Sequence, residues 1–150
     1  MSDHITNLER MRIQMEYVVP LIRDLQNLLG EDVINDALHR RVDDMTAGQE
    51  APGRKADFSR MAQGVEFYAD GGALDYEIIA AESDSFDMDV HRCGYTQMME
   101  ELGARDLGPM LICNLDYPAA ARQGMDLVRT QTQMQGATYC DFRYKRRSQA

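Results

Sequence analysis

The apolar residues of this chain change their spacing at Gly71-Gly72, and that change limits the folds open to it. Before the glycines, Leu8, Met11, Met15, Val18, Ile22, Leu25 and Leu29 recur every three or four residues, the spacing of side chains along one helix face. After them, Leu74, Tyr76, Ile78 and Ala80 alternate with polar residues, as do Phe86, Met88 and Val90. This two-residue period belongs to half-buried strands. Helical and strand patterns in separate stretches, joined by hairpin-length connections, predict an α+β fold.

Within the helical part, Pro20 removes a backbone donor from the first stripe, so a kink or a junction of two helices is expected near Tyr17. Gly30 reads as a helix stop, and Val33, Ile34, Ala37, Leu38 and Val42 form a second, shorter stripe. Residues from about 5 to 45 therefore predict a helical hairpin. Ala47 to Ala56 (AGQEAPGRKA) has Gly, Pro and charges without periodicity and reads as a surface connection.

The part from about 57 to 147 combines strands with short helices. Ser83-Asp84-Ser85 supplies the turn of a first hairpin. Tyr95, Met98, Met99 and Leu102 return to helical spacing up to Gly103, and Leu111, Ile112 and Leu115 suggest a short helix that Pro118 ends or bends. Val128, Thr130, Thr132 and Met134 then alternate up to Gln135-Gly136, and Cys140, Phe142 and Tyr144 alternate beyond it, predicting a second hairpin. The expectation is one domain over residues 1–150. In it, an N-terminal helical hairpin and short helices pack on an antiparallel β-sheet built from hairpins.

With 44% hydrophobic and 27% charged residues the composition is that of a soluble globular chain. Sixteen basic against 25 acidic residues give a net charge of −9, so neither nucleic acid nor an anionic membrane is expected as a partner. The opening MSDHITNLER lacks the layout of a signal peptide, and a cytoplasmic location is expected. A homo-oligomer is left open.

No G-x-G-x-x-G, G-x-x-x-x-G-K-[ST], H-E-x-x-H or G-x-S-x-G motif is present. Attention falls instead on Cys93, Cys113 and Cys140, each beside polar neighbours at the edge of an expected element. Core packing is the base reading for any one thiol. His91 together with Cys93, Cys113 and Cys140 would also make four nitrogen and sulfur ligands for a divalent metal such as zinc, although the spacings lack a C-x-x-C pair. Fourteen of the 16 basic residues are arginine. Arg143 and Arg129, expected on facing strands near Cys140, are the candidates to bind a carboxylate.

Several ordered anchors carry a resemblance. They are Cys93-x-Tyr95 leading to Glu101-Leu102-Gly103, Leu107-Gly108, Cys113-x-x-Asp116-Tyr117, Arg129-Thr130-Gln131-Thr132-x-Met134-x-Gly136, and Cys140-Asp141-Phe142-Arg143-Tyr144. Together they resemble the L-2-amino-thiazoline-4-carboxylic acid hydrolase family over Leu74 to Tyr144, with Gly94 standing where that family usually has a proline.

The resemblance implies hydrolytic opening of a five-membered sulfur- and nitrogen-containing ring to a carbamoyl-cysteine, with a small carboxylated heterocycle as substrate. Such a reaction needs an acid to protonate the ring nitrogen and a nucleophile or activated water for the carbon between nitrogen and sulfur. Asp116 or Asp141 is the candidate acid. Cys113, as a thiolate favoured by a helix N-terminus, is the candidate nucleophile, with Cys140 the next. Arg143 is expected to hold the substrate carboxylate, helped by Arg129, Thr130 and Thr132. Two alternatives stand beside this reading. One is a module that senses a small molecule or metal without turnover, and the other is a related ring hydrolase or desulfhydrase.

Overall fold

The computed structural model describes residues 3–49 and 56–147. Helix α1 (Asn7–Leu29) opens on a capping box, in which Glu9 N–H donates to Thr6 Oγ1 at 3.1 Å and Thr6 N–H donates to the Glu9 carboxylate at 2.8 Å. These bonds satisfy donors that a first turn leaves unpaired. The helix runs unbroken through Pro20, so the junction expected near Tyr17 does not form. Its buried residues are Met15, Val19, Ile22 and Gln26, whereas Glu16 and Pro20 are exposed. The Glu16 carbonyl that loses its donor is thus on the exposed side of the helix, where solvent can reach it.

Gly30, at φ 101°, separates α1 from α2 (Glu31–Gly48), and the two form the expected helical hairpin. Helix α2 reaches Gly48, so the predicted connection starts later than Ala47. Residues 50–55 of that connection lie outside the described residues, and Ala56 is buried rather than at the surface. A 3-10 turn at Phe58–Arg60 and helix α3 (Met61–Ala69) follow. The periodicity does not predict α3, because Val65 is its one fully buried residue.

Strands β1 (Leu74–Ala81), β2 (Ser85–Cys93), β3 (Met125–Val128) and β4 (Cys140–Arg146) form one sheet in the order β1-β2-β4-β3, each neighbour antiparallel. Helices α4 (Gly94–Glu101), α5 (Gly108–Leu111) and α6 (Asp116–Arg122) lie between β2 and β3 in sequence. The fold is α+β. Pro118 does not end a helix. It occupies the first turn of α6, where a missing N–H costs no hydrogen bond.

The second hairpin differs in phase from its prediction. Met125 and Leu127 are buried while Val128 is exposed, and the strand stops there. Arg129 to Tyr139 form a long connection with a 3-10 turn at Gln133–Gln135. A slip of one residue exchanges the two faces of a strand, so Arg129 follows the inward phase that had been given to Val128 and Thr130.

Two apolar clusters result. The first joins α1, α2, α4 and α5 through Met15, Val19, Ile22, Ile34, Met98, Met99, Leu107 and Met110. Met134 reaches it from the long connection, and a Cβ on Gly108 would stand 2.2 Å from the Met134 sulfur, so a larger residue there would displace the Met134 side chain. The second cluster places Phe58, Val65 and Ala120 against the sheet residues Phe86, Met88, Val90, Met125, Leu127 and Cys140. Among the described residues, no helix is long and apolar enough to cross a membrane.

Candidate active site

A bulge in β2 sets the position of Cys93. Tyr76 pairs with Val90 but Asp75 pairs with Arg92, so His91 is one residue more than β1 can match. The extra residue restores the inward phase at Cys93, which packs with Val90 against the second cluster. Simple alternation would put His91 and Cys93 on one face, and the bulge separates them. His91 stands 3.6 Å from Glu77 with 54% of its side chain exposed, and Arg92 donates to Asp75 at 2.8 Å. Gly94 next to the bulge donates its N–H to the Ala73 carbonyl at 2.7 Å, and a Cβ there would lie 2.8 Å from the same oxygen. Proline has no N–H to give and a side chain has little room, so glycine suits this position.

Cys113 packs against the first cluster, and Cys93 and Cys140 pack in the second. Along the seam between the two clusters, Cys93 and Cys140 lie close enough to Cys113 for their charges to add to the rise in its pKa. Among the described residues no three His, Cys, Asp or Glu side chains are grouped to hold a metal ion, so the proposed set of His91, Cys93, Cys113 and Cys140 is not assembled. The bulge turns His91 away, and Cys140 Sγ instead accepts the Gln133 N–H at 3.2 Å.

The strongest polar feature of the seam is the pair Asp116–Arg129. Arg129 Nη1 donates to Asp116 Oδ2 at 2.7 Å, and its Nη2 donates to the Cys113 carbonyl at 2.8 Å. The guanidinium lies between two aromatic faces, 5.3 Å from the Tyr117 ring centre and 4.9 Å from that of Phe142. Only 3% of the Arg129 side chain is exposed, against 35% of Asp116. A carboxylate crowded by protein and still open on one side is a recessed group.

The electrostatics of the seam follow from burial. Burial pushes the Asp116 carboxyl above its usual range, and Arg129 opposes that shift without cancelling it. Burial also pushes the Cys113 thiol up to about 12, with the Arg129 charge again opposing. A helix-stabilised thiolate at Cys113, expected from the sequence, is therefore not what the fold produces. Cys140, Tyr68 and Tyr144 are also raised, chiefly by burial, and the charge of Asp116 contributes to all three. Tyr68, Tyr117, Phe142 and Tyr144 thus belong to this neighbourhood, and nothing in the local sequence pattern marks them for it. The signal available for Arg129 was its inward phase after Met125 and Leu127.

The remaining candidates are placed elsewhere. Asp141 accepts the Thr130 and Gln131 N–H groups at 2.9 Å each and the Thr130 hydroxyl at 2.6 Å. Burial would raise its pKa, but the three bonds outweigh burial and hold it below the usual range. Asp141 and Thr130 therefore brace the long connection. Thr132 does likewise, its hydroxyl accepting the Gln135 N–H at 3.2 Å. Arg143 lies on the opposite sheet face from Cys140 and Phe142, 2.8 Å from Asp89, and donates to the carbonyls of Met88 and Phe142. Arg129 and Arg143 are thus not brought together beside Cys140.

A cavity of about 380 Å³ opens between α2 and α6, bordered by His39, Asp43, Asn114 and Tyr117. It adjoins the seam through Tyr117. A roomier indentation of about 470 Å³ is lined by α2 residues alone and reaches none of the cysteines.

The sequence model of the L-2-amino-thiazoline-4-carboxylic acid hydrolase family matches residues 10–144. The chain belongs to this family. The match extends over α1 and α2 as well as the sheet, so both walls of the seam lie inside the family region. Among curated proteins nothing matches the chain.

Proposed function

We propose that the protein hydrolyses a 2-aminothiazoline-carboxylate-like ring to a carbamoyl-cysteine-type product at a site centred on Asp116. Family membership supports the reaction class. The observation that carries the location is a carboxylate with a raised pKa, held by a buried guanidinium and open to solvent over about a third of its side chain.

In this reading the protonated isothiourea face of the ring donates to Asp116 Oδ1, while Arg129 keeps Oδ2 in place. Protonation of the ring makes the carbon between sulfur and nitrogen electrophilic. Water adds there, forming a C–O bond and giving one proton to Asp116. The adduct's hydroxyl then gives its remaining proton to bulk water as the C=O bond forms, the carbon's bond to sulfur or ring nitrogen breaks with its electron pair, and the leaving atom takes the proton held by Asp116, so the protonated ring yields a neutral product and one released proton. One water is consumed and no electron is transferred. Water is preferred to Cys113 as nucleophile because a thiol with a pKa near 12 is ionised at neutral pH to only about one part in 10⁵. The adjoining cavity is of a size for a small ring acid.

The test is incubation of the purified protein with thiazoline, thiohydantoin and hydantoin acids, following ring absorbance, free thiol and free amine, with metal content measured on the same sample. Loss of thiazoline absorbance with release of thiol reports cleavage at sulfur, and release of amine reports cleavage at nitrogen. Tight binding of a ring acid without turnover would replace hydrolysis by ligand sensing.

A further inference from the structure

We infer that the protein associates with a second copy of itself through the outer face of α1, the two helices running antiparallel about a two-fold axis at Tyr17. Directly opposite its core face, α1 exposes Ile13 (61%), Tyr17 (75%), Leu21 (47%) and Leu28 (78%). Their spacing places them on one stripe, which also carries the exposed residues Arg10 and Asp24. An amphipathic surface helix has one apolar face, and a second, opposite the first, marks an interaction surface.

The pattern along this stripe selects its occupant. Antiparallel packing about Tyr17 brings each residue beside the one equally far on the other side of position 17. Ile13 then meets the partner's Leu21, and Arg10 meets the partner's Asp24. Arg10 and Asp24 form no ion pair among the described residues. Each lies seven residues from Tyr17, about 10 Å along the axis at 1.5 Å per residue. In a chain of net charge −9 this face is locally neutral and self-complementary, as an isologous contact requires. Parallel packing would set Arg10 against Arg10 and Asp24 against Asp24, which selects the antiparallel arrangement.

Sedimentation of the full chain from about 1 μM to about 1 mM, the range in which an interface of one helix face assembles, tests the inference. A species of twice 17.1 kDa is expected to grow with concentration. Tyr17→Asp should shift assembly to at least tenfold higher concentration. Arg10→Asp alone and Asp24→Arg alone should each weaken it, and the double exchange should restore it, since only the double variant re-pairs opposite charges. Far-UV circular dichroism of each variant separates dissociation from unfolding, as all these side chains are exposed. A monomer throughout the range, a dimer indifferent to these substitutions, or a monomer that instead floats with phospholipid vesicles would each overturn it.

Discussion

Arg129 Nη1 lies 2.7 Å from Asp116 Oδ2, and this contact links the residue following β3 to the first residue of α6. Only 3% of the arginine side chain is exposed. Its charge is balanced by Asp116, by the Cys113 carbonyl and by the faces of Tyr117 and Phe142. A guanidinium in such a place is stable only while its partners remain, and the pair therefore couples stability to the chemistry proposed for Asp116.

Replacing Arg129 by Met is expected to lower the unfolding free energy near neutral pH by about 3 kcal/mol, at the low end for breaking a buried pair because water reaches one side of Asp116. The sign of the pH dependence follows from Asp116. Its folded pKa is already raised by burial, and loss of Arg129 raises it further. A carboxyl with a raised folded pKa favours the folded state at low pH, and that advantage declines as pH climbs from the unfolded value to the folded one. Urea denaturation of the variant should show a deficit that shrinks as the solution is acidified through this interval. A deficit independent of pH would separate Arg129 from Asp116 energetically.

Asp116 must be ionised to accept the proton of the attacking water, so turnover should fall with acidification, with a midpoint above the ordinary aspartate value of about 3.9. Asp116→Asn keeps an oxygen for Arg129 but not the balancing charge, so it should lower stability while remaining folded near neutral pH, lose at least about a hundredfold in kcat and lose this acidic limb. A variant that retains the limb would assign it to another group.

How much of this site can be read from sequence depends on the local signal. Alternation at Phe86, Met88 and Val90 places β2 and its inward face, because those side chains are deeply buried and the turn at Ser83-Asp84-Ser85 is polar. The same reasoning misplaces His91, since a bulge depends on the match between two strands and leaves no mark within one of them. In β3 only four residues form the strand, too few to fix a phase against the competing alternation of Val128, Thr130 and Thr132. A site formed where two clusters meet is a long-range property, and the raised pKa values of Cys113 and Asp116 come from burial that adjacent residues do not reveal.

Cys113 should behave as an inert thiol. With a pKa of about 12, its thiolate fraction at neutral pH is roughly three decades below that of a free cysteine, whose pKa is about 8.5. Alkylation by iodoacetamide, mapped by mass spectrometry, should be slower by a comparable factor and should rise about tenfold per pH unit through the alkaline range. Cys113→Ser should retain turnover within about tenfold if water is the attacking group. Rapid alkylation at neutral pH together with an inactive serine variant would return the nucleophile's role to the thiol.

Asp141 is expected to carry stability rather than chemistry. Its carboxylate accepts three hydrogen bonds from Thr130 and Gln131, and these tie the connection that begins at Arg129 to the start of β4. A hydrogen bond to a charged acceptor contributes about 1.5–3 kcal/mol net of water, and three that share one carboxylate do not add in full, so Asp141→Ala should cost about 3 kcal/mol near neutral pH. Asp141→Asn, which keeps an acceptor oxygen without the charge, should cost about half as much. The folded pKa of Asp141 is depressed, so its contribution is complete above the unfolded value of about 3.9 and is lost as pH falls through the folded value. The stability difference between the parent and Asp141→Asn should therefore narrow below about pH 4 and remain constant above it. Because Thr130 directly follows Arg129, the alanine variant should also lose kcat in step with its loosened connection, whereas the asparagine variant should lose little. Equal loss of kcat in both variants at a pH where both are folded would instead place the Asp141 carboxylate in the reaction itself.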